Sequence, residues 1–481
     1  MDKLGGEEMF IKKPKKLLGY LKYDDMDYPF EFIEEDFSIV LYPPTKEKWD
    51  DAADFFRFFE DLKKPKPDGW VKSIKLEGVT SEHYKIIFSV KDTPSNYHGF
   101  KSYEVDWFYY CRQEYDWEKI DGLKVSGREI NYFFPPQIAL QNEVKFSEDN
   151  IIEKMIVSTT DEETKRMCGS YSVRRGLNAV IELNAYATIH YNTALNPIDA
   201  TSYLYYIFSK PTGIDDIIIA VYHLKCFIKY ITYRSNIYID AIETFYEREG
   251  KRDYAGTIVF PNRMNGEDNK KASDRIIGYD VLGNKTANIF KAIRNGKMGY
   301  AHICKSIDGR RHYSSGRMIM IMSEFEREFR DIYGQDFGRS EIYISTKQEI
   351  VDLIENYRET HTGDVKKYAS SIKRTIQNLD NSYAQNVEKA ILDCETIMKP
   401  FICRNYKGYT DEIVKGICDR VGEIRNGIAH SKMDFTLDAV HLTDTKIIEE
   451  LTYAIRLKKA RISNELIKKG INALFNENIA L

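Results

Sequence analysis

The chain is poor in the features that settle a protein's class at a glance. Its 481 residues include seven cysteines, at positions 111, 168, 226, 304, 394, 403 and 418. The number is odd, no CxxC occurs, and no histidine stands at ligand spacing from any of them. That pattern excludes a disulfide framework, argues against a structural zinc site and leaves reduced thiols as the expectation. Long apolar runs are missing too: the longest, around Ile217–Ile231, is broken by His223, Lys225 and Lys229 and cannot span a membrane. The opening residues MDKLGGEEMF lack the apolar centre of a secretory signal. Charge of one sign is also scarce. A net charge of -4 with 30% charged residues gives no global basic field, so any nucleic-acid contact must come from a local patch. No Walker loop, GxSxG elbow or strand-to-helix GxGxxG occurs. The carboxylate pairs Glu34-Glu35, Asp50-Asp51 and Asp215-Asp216 have no placement that favours glycosidase work. A soluble cytoplasmic protein without cofactor or metal is expected.

Aromatic residues, in contrast, are plentiful, with 34 Tyr and 25 Phe, enough for a sheet-rich portion and substantial cores. Strand-like runs between turn signals occur at Phe37–Tyr42, Trp70–Leu76, Tyr84–Val90, Tyr103–Tyr110, Ile130–Phe134 and Val180–Tyr191. A helical insertion is expected at Trp49–Leu62. The periodicity then switches. Ile214–Ile231 reads as a helix, Asn236–Phe245 as a strand, and the polar stretch 263–275 as a loop or boundary. Beyond about residue 311 only helices are expected: Ser315–Ile332, Thr346–Tyr357, a long Ser371–Met398 stopping before Pro400, a helix beginning after Thr410, and a last one from near Asp444 carrying Ile448, Leu451, Ile455 and Ile462. The fold class is therefore α+β. A β-rich sandwich or barrel-like region covers 1–210, a mixed α/β continuation and linker covers 211–310, and a helical bundle covers 311–481.

One stretch of that bundle combines residues in a way pure packing does not require. Arg425-Asn426-Gly427-Ile428-Ala429-His430 lies in a segment whose apolar positions, Ile413, Ile417, Val421, Ile424 and Ile428, recur at steps of three and four. At ~100° per residue these form an inward stripe, which leaves Asn426 and His430 one turn apart on roughly the opposite face and Arg425 on the shoulder. Arg followed four to six residues later by His is expected about once by chance in a chain of this composition, so placement on a strongly striped helix is what distinguishes this occurrence. Arg294-Asn295-Gly296 with His302 has too long a gap and no clean helix.

This helical segment resembles a HEPN domain, whose signature is Arg, a polar residue, a short spacer and His. Ser315–Arg330, with Arg317 and the acidic turn at Phe325-Glu326, is similar to the first helix of such domains. A β-rich front with a HEPN back resembles the ApeA-type abortive-infection proteins of bacterial anti-phage defence. The resemblance implies metal-independent endoribonuclease activity, in which the ribose 2′-OH attacks the adjacent phosphate. His430 would act as general acid or base. Arg425 would hold the phosphate and its developing charge, and Asn426 would orient His430 or bind the phosphate. One histidine cannot serve as both acid and base, so a two-fold dimer sharing one cleft is implied. The implied partners are RNA, with transfer RNA one candidate, a second copy through the HEPN portion, and a phage component sensed by the β-rich region.

Blander readings accompany each residue. Arg425 could be an ion-paired surface group, His430 a cation at a helix C-terminus, and Asn426-Gly427 a fraying end. Arg456, Lys458, Lys459 and Arg461, with Lys468 and Lys469, could track an RNA backbone or form a solvated face. His441, beyond the motif, is set aside. Two rival functions remain: a non-catalytic HEPN dimerisation or RNA-binding protein, and a ligand-binding enzyme working through the N-terminal sheet.

Overall fold

A computed structural model describes residues 17–23, 26–42, 73–93, 95–97, 100–147, 152–160, 164–189, 198–261, 267–334, 340–377, 382–429 and 438–480. The fold is α+β, with a β-rich N-terminal region and C-terminal helices. Residues cluster into two compact units, Met1–Tyr222 with Asn236–Gly266, and His223–Ser235 with Glu267–Leu481. The stretch 211–310, read from the sequence as continuation and linker, is shared between them.

The first unit is built around a closed six-stranded barrel. Its strands are β1 (Leu18–Tyr23), β2 (Met26–Ile33), β3 (Ser38–Leu41), β4 (Ser73–Thr80), β5 (Tyr84–Lys91) and β7 (Phe100–Arg112), ordered β7-β3-β2-β1-β4-β5 and closed by β5 pairing with β7. A short strand, β6 (Ser95–Tyr97), pairs with β7. Closure removes the exposed edges that an open sheet would leave. Leu21, Phe30, Phe32, Ile39, Phe88 and Phe108 fill the interior. The inward set of β7 changes phase: Val105 pairs with Val90 while Trp107 pairs with Ser89, so Asp106 is bulged out and Phe108 follows Val105 into the core. Strands β1 and β4 approach so closely that a Cβ on Gly19 would sit 2.2 Å from the Val79 carbonyl oxygen.

The β7 strand also leads outward. Its second half pairs with β15 (Lys251–Val259), which continues through β14 (Ala241–Arg248), β8 (Ile120–Ser126), β13 (Ile198–Thr212) and β12 (Leu177–Ile189) to β11 (Arg166–Arg174). A separate hairpin joins β9 (Leu140–Phe146) to β10 (Ile152–Thr159). The expected strand at Ile130–Phe134 is instead a helix, Arg128–Phe133. Gly127, at φ 149°, lets the chain turn after β8, and Ile130 and Phe133, three apart, then bury one helical face. The expected insertion at Trp49–Leu62 lies outside the described residues. Helix α1 (Ile214–Thr232) forms where the apolar density indicated, and among the described residues no helix is long and apolar enough to cross a membrane.

The main helices that follow are α2 (Ser315–Tyr333), α3 (Glu341–Glu359), α4 (Gly363–Gln377), α5 (Tyr383–Asp393), α6 (Glu395–Tyr406), α7 (Asp411–Ala429), α8 (Ala439–Lys459) and α9 (Asn464–Phe475). The stripe Met318, Ile321, Met322, Phe325 and Phe329 of α2 is fully buried, as its spacing requires. The expected single helix Ser371–Met398 is three elements. Ser382 and Gln385 form a capping box that starts α5 anew, and Cys394 leaves helical geometry at ψ 21° before α6. Pro400 lies inside α6 rather than ending a helix. Because α6 begins only five residues earlier, the missing proline N–H removes one hydrogen bond from a short helix.

At the centre lies α8, which starts at Ala439, earlier than expected, capped by Asp438, whose Oδ1 accepts from Val440 N at 2.9 Å and His441 N at 3.0 Å. It ends before Ile462, where Arg461 adopts a left-handed φ of 66°. The helix packs against α2, α6, α7 and α9. It carries charges into the core. Glu449, buried, accepts from Arg317 at 2.7 Å, from Tyr313 at 2.5 Å and from Tyr233. Asp444, also buried, pairs with Arg420 at 2.6 Å and accepts from Tyr406.

Candidate active site

Helix α7 positions the motif. Thr410 Oγ1 accepts from Ile413 N at 3.3 Å, and Asp411 and Glu412 occupy the first turn, where their charge complements the helix dipole. Ile417, Val421 and Ile424 are fully buried, and Ile413 and Ile428 are half-buried at the stripe's ends. The remaining face carries Asn426, exposed, and Arg425, whose side chain is 37% exposed. Both therefore stand where the periodicity puts them. Ala429 is the last described residue of the helix, and His430 lies outside the described residues.

Arg425 is held from a second helix. Its Nε lies 3.4 Å from Glu326 Oε1 of α2, and its Nη1 lies 3.4 Å from Asn426 Oδ1. Its Nη2 has no hydrogen-bond partner among the described residues. Below this pair sits Tyr383, buried against Phe325 with ring centroids 5.6 Å apart and its hydroxyl 3.0 Å from Met322 Sδ. Burial, reinforced by the Glu326 carboxylate, pushes that phenol well above its ordinary range, so it stays neutral. The three helices α2, α5 and α7 enclose an open cleft of about 610 Å³, lined by Glu326 and Arg330, Ser382 and Tyr383, Asp419, Glu423, Arg425 and Asn426. Three carboxylates thus face two guanidinium groups. Of the charged lining residues outside the motif, only Glu326 carried a sequence signal beforehand. Arg330, one turn further along α2, and Asp419 and Glu423 on α7 became visible only when the helices met.

The basic residues of α8 are not part of this cleft. Arg456 is 3% exposed and is enclosed by Glu328, by Asp331 at 3.0 Å and by the Lys297 carbonyl at 3.1 Å. It is a core ion pair, which corrects its assignment to an RNA-tracking patch. Lys458 pairs with Asp393 at 2.9 Å, while Lys459 and Arg461 are exposed. At ~100° per residue, positions 456, 458 and 459 span about 160° of the helix, and because α8 is buried over most of its circumference, Arg456 at one end of that arc is turned inward. Lys468 and Lys469 pair with Glu465 and Asp280 respectively. His441 belongs to the α8 cap, its Nδ1 accepting from Asp438 N at 3.2 Å. His302, of the discounted second stretch, is buried, and burial together with Arg317 and Arg327 lowers its imidazole to about 3.

No family model matches the chain, and no curated protein or solved structure is detectably similar to it.

Proposed function

We propose that the chain is a metal-independent endoribonuclease of the HEPN type, acting in anti-phage abortive infection. The observation that carries the reading is the Arg425 site: a guanidinium anchored through Nε to Glu326, with its Nη2 unclaimed among the described residues, beside exposed Asn426 on a helix that leads directly to His430. A planar donor fork fixed at one end suits a phosphate oxygen. In this scheme the 2′-oxygen loses its proton to an imidazole and attacks the adjacent phosphorus. Arg425 neutralises the extra charge on the phosphorane, and a second imidazole protonates the departing 5′-oxygen. Two copies of His430, one from each chain of a dimer formed through the HEPN portion, supply both functions. Transfer RNA is the substrate class favoured for such a nuclease, and the β-rich unit is the sensor of a phage component.

The test is cleavage of total RNA in EDTA by wild type, Arg425→Ala and His430→Ala proteins. Each variant should lose about 100-fold or more in rate, and substrates with a 2′-deoxy at the scissile ribose should resist. RNA cut equally well by the His430→Ala protein in EDTA sinks the proposal. The excess of carboxylates in the cleft favours one second reading. There the Glu326–Arg425 pair is a tie between helices in a non-catalytic dimerisation or RNA-binding protein, and wild type would show no cleavage in the presence of its trigger.

A further inference from the structure

A second cavity of the helical unit, about 470 Å³, shares no lining residue with the Arg425 cleft. Its cations come from three places. Arg275 follows the short helix Asn269–Asp274, Arg310 and Arg311 stand on the 3-10 turn Asp308–Arg311, and Lys446 lies on α8. Arg317 fixes that turn, because its Nη1 donates to the carbonyls of Arg310 and His312, each at 2.9 Å. The carboxylates of the cavity are Glu449 and Glu477. Both are already answered, Glu449 by Arg317, and Glu477 by Lys446 at 2.5 Å and Arg404 at 3.6 Å.

The three arginines are not answered in return. The side chains of Arg275 and Arg311 make no hydrogen bond or ion pair with any described residue. Arg310 donates through both Nη atoms to the carbonyls of Thr232 and Leu474, in the last turns of α1 and α9, and its buried Nε meets no acceptor. Helix-end carbonyls carry only partial negative charge. Burial above all, with Arg275 adding a like charge, brings the Arg310 guanidinium down to about 10. Two full positive charges and part of a third therefore converge on one cavity, in a chain whose net charge is -4. A cation withdrawn from water without a counter-ion is costly, and no described side chain supplies one.

We propose that this cavity binds the phosphate group of a small phosphorylated molecule. A phosphate monoester carries about -1.5 to -2 charges near neutrality. That matches the two unpaired guanidinium groups, whereas a single carboxylate would leave one of them unanswered. Guanidinium forks also suit phosphate oxygens in geometry. The cavity has the size of a small-molecule site. Tyr313, Leu442 and Phe475 give it apolar wall for the remainder of such a ligand, and the buried Tyr233 ring supports Arg310, whose guanidinium carbon lies 5.5 Å from the ring centre. A nucleic-acid backbone fits less well. It needs a continuous basic track, and the neighbouring cations Lys271, Arg404 and Lys446 are paired with Asp308 and Glu477.

The experiment is calorimetric titration of the full chain with inorganic pyrophosphate, in buffer free of divalent cations and of other phosphate. Wild type should bind with a Kd below ~1 mM. Arg275→Gln with Arg311→Gln should weaken binding at least about tenfold. Neither side chain holds another described residue, so the melting temperature should not change. Lys366→Gln with Lys367→Gln removes the same charge from exposed positions on α4 and should leave the affinity as it was. No binding by wild type overturns the proposal, as does undiminished binding by the protein carrying both arginine substitutions. Equal weakening in the arginine and lysine variants would make the attraction a general field effect and overturns it as well. Single-stranded RNA binding in a His430→Ala background should be unchanged by the arginine substitutions. A loss of about tenfold there would give the cavity to a nucleic-acid backbone and overturn its assignment to a small molecule. Cleavage enters none of these readouts, so the ribonuclease reading can fail without touching the result.

Discussion

The barrel interior and the centre of the helical unit solve the same burial problem with different chemistry. Inside the barrel, Phe30, Phe32, Phe88 and Phe108 meet at centroid separations of 4.9 to 6.1 Å, with aliphatic residues between them. The helical unit is organised on α8, which buries Asp444, Glu449, Glu450 and Arg456 along with its apolar residues. An apolar core tolerates changes of shape while total volume is kept. A buried carboxylate tolerates them poorly, because removing it leaves its cationic partner desolvated and unpaired. The barrel should therefore forgive isosteric substitution and the helical centre should not.

The largest effect that tests this contrast is at Glu449. Glu449→Gln keeps the side chain's shape but removes the charge that faces Arg317 at 2.7 Å inside the core. We expect a loss of about 3 kcal/mol in the stability of the helical unit, read by denaturant unfolding followed by hydrogen exchange on α2 and α8. The matching barrel substitution, Ile86→Leu, should cost under ~1.5 kcal/mol. Equal costs at the two sites would remove the distinction between the cores.

Proton linkage separates the units next. Two buried histidines belong to the helical unit. His302 is lowered to about 3 by burial, then by Arg317 and Arg327, and His223 to about 4 by burial, then by Arg294. Both are depressed below the unfolded value of about 6.5, so each contributes stability that is complete above that pH and lost as pH falls toward the folded value. At pH 5 the deficit should be about 2 kcal/mol per histidine. Guanidinium melts of the whole chain at pH 5 and 7, with His302→Gln as control, check the sign: the substitution should flatten the average slope over that interval by roughly 0.7 proton. A slope unchanged in the His302→Gln protein would mean that this imidazole is protonated in the folded state.

How legible these differences were follows from their physics. Barrel strands such as Tyr84–Val90 announced themselves through β-branched and aromatic runs, because burial against a sheet selects those residue types. Closure was hidden, since β3 meets β7 and β1 meets β4 through pairing between segments some sixty residues apart, and the Asp106 bulge breaks the alternation along β7. Among the helices, the α2 and α7 stripes were plain because only one face of each is buried. Helix α8 was read short and its arginine misread, because a helix buried on all sides has no polar face to contrast with. The break at Cys394 escaped for a related reason: apolar spacing carries on across it while the backbone does not. At the site, Arg425 and Asn426 were readable from one helix. Their partners come from two others, and nothing in a single sequence states which helices meet.

The smallest expected effect on stability concerns that meeting point. Glu326 is 22% and Arg425 37% exposed, and their 3.4 Å contact leaves room for water and ions to screen it. Glu326→Gln should therefore change stability by less than ~1 kcal/mol, far below the Glu449 effect despite the same loss of a carboxylate. Its value lies in separating the two readings of the cleft. Where Arg425 serves a phosphate, Glu326 competes with that ligand, and removing its charge brings the lining from three carboxylates against two guanidinium groups to balance. Single-stranded RNA binding, measured in a His430→Ala background to prevent turnover, should then tighten about threefold to tenfold at low salt and show a steeper salt dependence. Where the pair only ties α2 to α7, the same substitution leaves RNA affinity as it was and loosens the helix contact instead, seen as faster hydrogen exchange at the end of α7.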